Sequence, residues 1–464
     1  MRGARYPVAV TRKERQASML DVAAIREQFP ITQQRFRVLG RDEPQPLVYL
    51  DHGASTHPPR SVLDAYRDFL EHSYSNVHRG KHYLSQIATD HFEHVYDDIR
   101  RFLSARGDAS TVILLGNTTQ ALDLASHVMA GVEGVTLVSL MEHHSNDLPH
   151  RRRGPVVHFG VREDGSLDEE DLERKLGQHR VKLVAVTGAS NVTGYLPDIH
   201  RIARMAHLHG ARILVDAAQL LAHRRIDVRP QEDPGHLDFL AAAGHKAYAP
   251  FGSSFLFAPR DLCDAAPPYI PAGGTVVWVT EDDALYAKSP DRHEGGTPNI
   301  AGAIALGASL RFLEEAGMAA IREHERVLTE RALTGLLAIE GVHVLGDPDP
   351  AHRLGVLSFT IEGVPHELVA TILNCEAAIA VRNGCFCAQP YLHRLLGIKD
   401  TSDLRRRLEA GEEGALPGAV RPTLGIYNTE QEVEELLRMV RLIRDRQWIG
   451  DYGKIESTVT CKEV

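Results

Sequence analysis

The run AAAGHK ends in Lys246, directly behind an apolar stretch. A lysine there either snorkels to solvent or is held in a pocket, where burial of the ammonium is costly and its pKa falls. An imine to an aldehyde relieves that cost. ILVDAAQ sets Asp216 at the end of another apolar run, 30 residues earlier. A carboxylate in that place needs a partner. A pyridinium N–H would serve, with the aspartate keeping the nitrogen protonated; a helix cap or a buried ion pair is the plainer use. With one crossover between them, both residues would reach the same edge of a parallel sheet, where α/β folds place their ligands.

Other junctions carry weaker signals. GNTTQ (116–120) reads as a strand–turn–helix boundary. Its backbone N–H groups and the hydroxyls of Thr118 and Thr119 suit a phosphate, unless Thr118 simply caps the helix. In MEHHSN (141–146), His143 is placed to lie flat on an aromatic ring or to cap a turn. In ASNVTG (189–194), Asn191 is placed to bind a ring hydroxyl or a carboxylate, or to shape a turn.

Short strands must deliver these residues. VILLGN (112–117), VTLVSL (135–140), KLVAVTGAS (182–190), RILVDAAQ (212–219), FLAAAGHK (239–246) and SSFLFAP (253–259) read as strands. They are apolar on both faces, as parallel strands between helices are. Helical patterns at 118–130 and 197–209 fall between them, the second opened by Pro197 and Asp198. The alternation predicts an α/β layer architecture. Past residue 305 long helices dominate. The last, about 430–446, has capping-box spacing at Thr429 and Glu432. Val433, Leu436, Leu437, Val440 and Ile443 line one of its faces. Residues 1–46 read as a polar, basic arm with one helical stretch around Val22–Phe29. Residues 47–305 read as a large domain with a mostly parallel sheet, and 306–464 as a smaller α+β domain. Residues 399–418 are charged and read as a surface insertion with a short helix.

A chain of 464 residues is too long for one small core. Its 52 basic against 62 acidic residues leave a net charge of -10 and no electrostatic footprint for nucleic acid. No apolar run is long enough to cross a membrane. Five cysteines, Cys263, Cys375, Cys385, Cys387 and Cys461, do not resemble a secreted disulfide framework. The N-terminal MRGARYPVAVTRKERQASML lacks the apolar stretch of a signal peptide and reads as a solvated arm. A cytoplasmic protein is expected.

DAAQ, GHK, EHH, SNVTG and EGGTPN, in this chain's arrangement, resemble the class V aminotransferase group of pyridoxal-phosphate (PLP) enzymes, specifically the cysteine desulfurases. YLDHGAST and NVHRGKHYLS near the start are similar too. RNGCFCAQP resembles the R-x-G-x-x-C-A-x-P of the SufS-like (type II) desulfurases and selenocysteine lyases. The resemblance runs from about residue 47 to 445 and implies PLP fold type I, the aspartate aminotransferase-like fold. It also implies the roles. Lys246 would be the Schiff-base lysine and proton carrier, and Asp216 would pair with the pyridine nitrogen. His143 would stack on the ring, with Ala218 on the other face. Gln219 would bond the phenolic oxygen. Thr119 and His245, with Thr118 beside them, would hold the phosphate. Thr297 would reach the phosphate of a partner subunit, so a homodimer is expected. Arg382 would grip the substrate carboxylate, with Asn191, His78 and a second arginine, Arg421, completing the substrate site. Cys387 would be the nucleophile that takes sulfur from L-cysteine, or selenium from selenocysteine, before a SufE-like acceptor receives it. Arg382, His78 or His82 would favour its thiolate.

Three features depart from the type II pattern. Ala243 stands where the family commonly has a serine, which removes one hydroxyl donor worth about 1 kcal/mol. The loop Gly384-Cys385-Phe386-Cys387 holds two thiols, and similar loops occur in molybdenum-cofactor sulfurase-like relatives. Two free thiols are expected rather than a strained disulfide, and no metal site. The charged insertion leaves the acceptor's identity open. Alternative readings are another class V reaction (a C–S or C–Se lyase, an epimerase or an aminotransferase) in which Cys387 is dispensable, or a non-enzymatic sulfur carrier that kept the fold.

Overall fold

A computed structural model describes residues 20–411, 416–455 and 458–461, the stretch from 453 onward as backbone alone. The first part of the expected arm and part of the charged insertion lie outside the described residues.

Seven strands form the main sheet: β1 (Ser110–Leu115), β2 (Val135–Ser139), β3 (Val156–Phe159), β4 (Val181–Thr187), β5 (Arg212–Asp216), β6 (Phe239–Ala243) and β7 (Ser254–Pro259). Their spatial order is β1-β7-β6-β5-β4-β2-β3. Strands β4, β6 and β7 are buried at every position. Alternate residues feed two cores, one per face. Leu214, Ala241 and Leu256 point to one, while Ile213, Val215, Leu240, Ala242 and Phe255 point to the other.

The sequence reading expected a mostly parallel sheet, as observed, but grouped 253–259 with the parallel strands, and that placement needs correcting. Strand β7 runs antiparallel to both β1 and β6. Only residues 244–253 connect β6 to β7, fewer than a helical crossover between parallel strands requires. The other six run in one direction, so their C-terminal ends share an edge.

Helices α1 (Tyr83–Phe102), α2 (Thr118–Val128), α3 (Ile199–Leu208) and α4 (Ile300–Ala316) cover the sheet. The start of α2 differs in detail from expectation. Its cap is Asn117, whose side chain accepts from Gln120 N, and not Thr118.

A second sheet gathers β8 (Val342–Val344), β9 (Phe359–Ile361), β10 (Arg382–Gly384) and β11 (Ala419–Arg421) in the order β8-β9-β11-β10, all antiparallel. Helices α5 (Met318–Leu337), α6 (His366–Ala377) and α8 (Glu430–Arg444) share a separate apolar core with it. Val48 and Leu50 join that core, and Val48–Tyr49 pairs in parallel with Ile379–Ala380. Within the insertion, α7 (Ser402–Glu409) buries no residue.

The N-terminal segment read as a solvated arm lies, up to residue 19, outside the described residues. In the rest of the polar arm the expected helical stretch is present as a short helix, Val22–Glu27, and Phe29 is fully buried against Tyr248, Phe312 and Tyr427. The polar composition of this stretch hid one aromatic anchor.

Helix α8 begins as the spacing predicts. Thr429 accepts from Glu432 N, and the Glu432 carboxylate accepts from Thr429 N at 3.0 Å. Its expected apolar stripe is buried throughout. Replacing Thr429 with alanine is expected to cost about 1 kcal/mol, read as a lower urea midpoint with an unchanged slope.

Candidate active site

At the shared edge of the six strands lies a cavity of about 350 Å³. All the expected site residues line it except Thr297 and His78. The strand ends explain the convergence. β4 brings Thr187 and then Asn191, β5 brings Asp216, Ala218 and Gln219, and β6 is followed by His245 and Lys246 in a 3₁₀ turn. The β1–α2 junction contributes Thr118 and Thr119, and the segment after β2 contributes His143.

Half-buried Lys246 opens only partly onto the cavity. Enclosure, with the Arg421 charge adding to it, brings its pKa down to about 8. Asp216 is buried; its carboxylate accepts Ala218 N at 2.9 Å, and burial raises its pKa. His143 Nδ1 accepts Ser145 N at 3.1 Å, which leaves the proton of the neutral ring on Nε2. Burial and then the Lys246 charge lower its pKa to about 4, so the ring is neutral at pH 7. His245 is likewise lowered to about 4 by burial and Lys246.

Three buried polar atoms in the cavity's lining residues have no protein partner: Arg421 Nε and, on the large-sheet side, the pair Thr118 Oγ1 and Gln219 Oε1. Buried polar groups are ordinarily satisfied, so the pair calls for a ligand with polar groups at two places. Together with a reactive lysine, a buried aspartate and a helix N-terminus, this donor set fits pyridoxal phosphate. Thr119 Oγ1 meets Ser145 Oγ at 2.8 Å. Ala243 is fully buried and does not reach the cavity lining.

Two arginines close the opposite side. Arg382 and Arg421 are direct cross-strand neighbours on β10 and β11. Arg421 is buried, donates to Asn191 O at 2.8 Å and lies over the Phe386 ring at 4.7 Å. Arg382 is half exposed and meets Asp51 at 2.8 Å. Gly53 makes the approach possible, since a Cβ there would sit 3.3 Å from Arg421 Nη2 and 2.9 Å from Thr423 Cγ2.

Cys387 is exposed and Cys385 partly buried, and both are free thiols. Phe386 and Cys387 adopt φ of 55° and 53°, left-handed values uncommon for such residues. Contacts from the large sheet hold the loop. Asn191 Nδ2 donates to Phe386 O at 2.7 Å, and His144 N donates to Cys387 O at 2.8 Å. Asn191 therefore spends an amide donor on the loop rather than on a substrate.

His78 lies away from the cavity, 3.7 Å from Glu93 and edge-on to Phe92. His82 caps α1. Neither lines the cavity with Cys387, as the sequence reading had supposed. Thr297 is exposed beside a second cavity of about 230 Å³.

Sequence reasoning passed over Asp51 and Glu142. Asp51 sits in the quoted YLDHGAST and is an acid behind an apolar pair, the same signal that marked Asp216. Glu142 stands next to His143 in MEHHSN. It accepts Thr187 N at 2.8 Å and Asn146 Nδ2 at 2.6 Å, and also bonds Ser139. Burial pushes its pKa up to about 8. Glu142 thus ties the His143 loop to β4, a positioning role.

Elsewhere, the ligand atoms of His207, His236 and Asp238 lie within 4.8 Å of one another. The two rings stack 19° from parallel, and Asp238 already accepts from Arg212 and Ile213 N. Stacked rings cannot both aim an in-plane lone pair at one ion, so the cluster is an ion-pair network.

The model of the family "Aminotransferase class-V" matches residues 48–436. "Probable cysteine desulfurase 2" of Mycobacterium leprae (strain TN) is 34% identical over 432 residues, which is 90% of this chain and 95% of that protein. "Probable cysteine desulfurase 1" of the same organism is 34% identical over 92% of this chain, and the chain spans 66% of that longer protein. Among solved structures, the apo cysteine desulfurase of Thermococcus onnurineus NA1 superposes with a TM-score of 0.80 at 29% identity, covering 92% of this chain and 98% of that one. The cysteine desulfurase CsdA of Escherichia coli gives 0.77 at 28%, covering 93% and 100%.

The lowered pKa of Lys246 sets an expected pH dependence. Only the neutral amine attacks an aldehyde, so capture of pyridoxal phosphate by the apoprotein should quicken as pH rises and level off above about 8. Stopped-flow absorbance would read it. A rate still climbing steeply at pH 10 would mean an ordinary, solvated lysine.

Proposed function

The chain belongs to the class V aminotransferase family, among its cysteine desulfurases, and on that footing we propose that it converts L-cysteine to L-alanine, with the sulfur left as a persulfide on Cys387. The observation that carries this reading is the meeting of Lys246, the arginine pair and an exposed thiol at one cavity.

Pyridoxal phosphate, when bound, supplies an electron sink for negative charge at the substrate's α-carbon. Lys246 would anchor it and Asp216 would keep its pyridine nitrogen protonated. His143 and Ala218 would flank its ring. Gln219 would donate to its phenolic oxygen. Thr118, Thr119 and His245 would hold its phosphate, with Thr297 arriving from a partner subunit.

Each remaining role belongs to a side chain of this protein. Arg421 and Arg382 would orient the substrate carboxylate. Lys246, once its amine is free, would take the α-proton; a pKa near 8 suits a group that must both accept and return a proton near neutrality. The thiolate of Cys387 attacks the substrate sulfur. A sulfur–sulfur bond forms, the carbon–sulfur bond breaks, and its electron pair returns to the β-carbon with a proton to give alanine. An exposed thiol on a loop then presents the transferable sulfur outward. A SufE-like carrier with an accessible thiol would fit as acceptor. The chemistry extends to selenocysteine, whose selenium would be attacked in the same way.

A homodimer is part of this reading. Phe251, Val277, Trp278, Val279 and Leu285 are large, apolar and exposed. The hairpin carrying four of them is tied to the Thr297 segment, since Gly296 N donates to Gly273 O. A second copy would cover this surface and bring Thr297 toward the neighbouring site. A cytoplasmic setting agrees with the free thiols of Cys263, Cys385 and Cys387. No helix among the described residues is long and apolar enough to cross a membrane.

The decisive assay compares the wild type with Cys387→Ala, supplying L-cysteine and a reductant. Alanine and sulfide are expected from the wild type and none above background from the variant. Pyruvate in place of alanine, or equal turnover in both, would make the chain a lyase or another class V enzyme. Lys246→Ala should lose the cofactor's near-visible absorbance band; an unchanged band would refute its assignment.

A further inference from the structure

The arginine pair poses an electrostatic problem. Arg382 and Arg421 stand directly opposite each other on adjacent antiparallel strands. Like charges in that relation repel, and Arg421 is almost wholly withdrawn from water. Lys246 adds a third cationic group to the same cavity. One carboxylate answers the pair. Asp51, 8% exposed, reaches Arg382 Nη2 at 2.8 Å with Oδ2 and Arg421 Nη2 at 3.8 Å with Oδ1. Oδ1 makes no hydrogen bond. Its backbone is held in place by a bridge to Thr423, and Gly53, two residues on, lies against Arg421.

We propose that Asp51 is a resident counter-ion that occupies the place of a second substrate carboxylate, so that the arginine pair admits amino acids with one carboxylate and rejects those with two. Two guanidinium groups and one protein carboxylate leave a single positive charge for the ligand. A zwitterionic amino acid such as cysteine or alanine matches it with its α-carboxylate. A dicarboxylic amino acid would bring its second carboxylate against Asp51, which is largely shielded from water, so that the repulsion between like charges is weakly screened. Removal of the Asp51 charge would free Arg382 and turn the same pair into a clamp for two carboxylates. This inference rests on the substrate reading above, since it takes the pair as the carboxylate site.

Calorimetric titration of the pyridoxal-phosphate holoenzyme with L-alanine and with L-aspartate tests it. For the wild type, alanine should bind more tightly than aspartate. In Asp51→Asn, which keeps shape and removes charge, the ratio of dissociation constants, aspartate over alanine, should fall by roughly tenfold or more. Asp51→Ala should shift the ratio in the same direction, so the result does not hang on the asparagine amide. A residue with a merely structural role would weaken both ligands alike and leave the ratio at its wild-type value; that outcome would overturn the proposal. Turnover is not part of the readout, so a failure to release alanine from cysteine would count against the desulfurase reading while leaving the ratio measurable.

Discussion

Cationic crowding is the constraint around which this molecule is arranged. Lys246, Arg382 and Arg421 share one cavity with Asp216, and Asp51 meets the two arginines from outside its lining. Charges of one sign gathered away from bulk water are tolerated only when every counter-charge is fixed. The large sheet fixes Asp216 at a strand end and the small sheet fixes the arginines in register. Asp51 belongs to the stretch that crosses between them, beside a two-residue strand that pairs with the small-domain side. Lys246 and Asp216 of the large sheet offset each other, whereas the small sheet's two arginines depend on Asp51 from the crossing stretch.

Much of this was legible in the sequence because catalysis at a parallel sheet edge writes itself as repeated punctuation. An apolar run ends in a polar residue, and this happens again at Thr187, Asp216 and Lys246. Strand ends fall close to where the apolar runs stop, and the stripe on α8 is buried residue for residue. Direction was not legible. SSFLFAP carries burial and no polarity, so only the short connection behind it makes β7 antiparallel. Edge strand β3, half exposed, carried too weak a pattern to be read at all.

Contacts between residues far apart in sequence were also out of reach. Nothing local in RNGCFCAQP or in AVRPT says that Arg382 will face Arg421 across a ladder, or that Asp51 will come between them. Glu142 and His144 show the same limit. Both flank the residue singled out from their motif, yet one carries the loop's buried anchor and the other, through its backbone N–H, holds Cys387 O. The histidine that attracted notice stands between two residues that keep it and Cys387 in place.

Two glycines at the site differ in what they forbid. At Gly384 nothing lies within 4 Å of where a side chain would begin, but φ is +109°, which only glycine adopts with ease. At Gly53 the backbone carries no such restriction, and the obstacle is the arginine and threonine already there. The distinction bears on how the site can change over generations. Position 384 is closed by its own geometry whatever its surroundings become. Position 53 is closed only while Arg421 and Thr423 remain, so a lineage that gave up both would regain a freely variable position on the cavity wall.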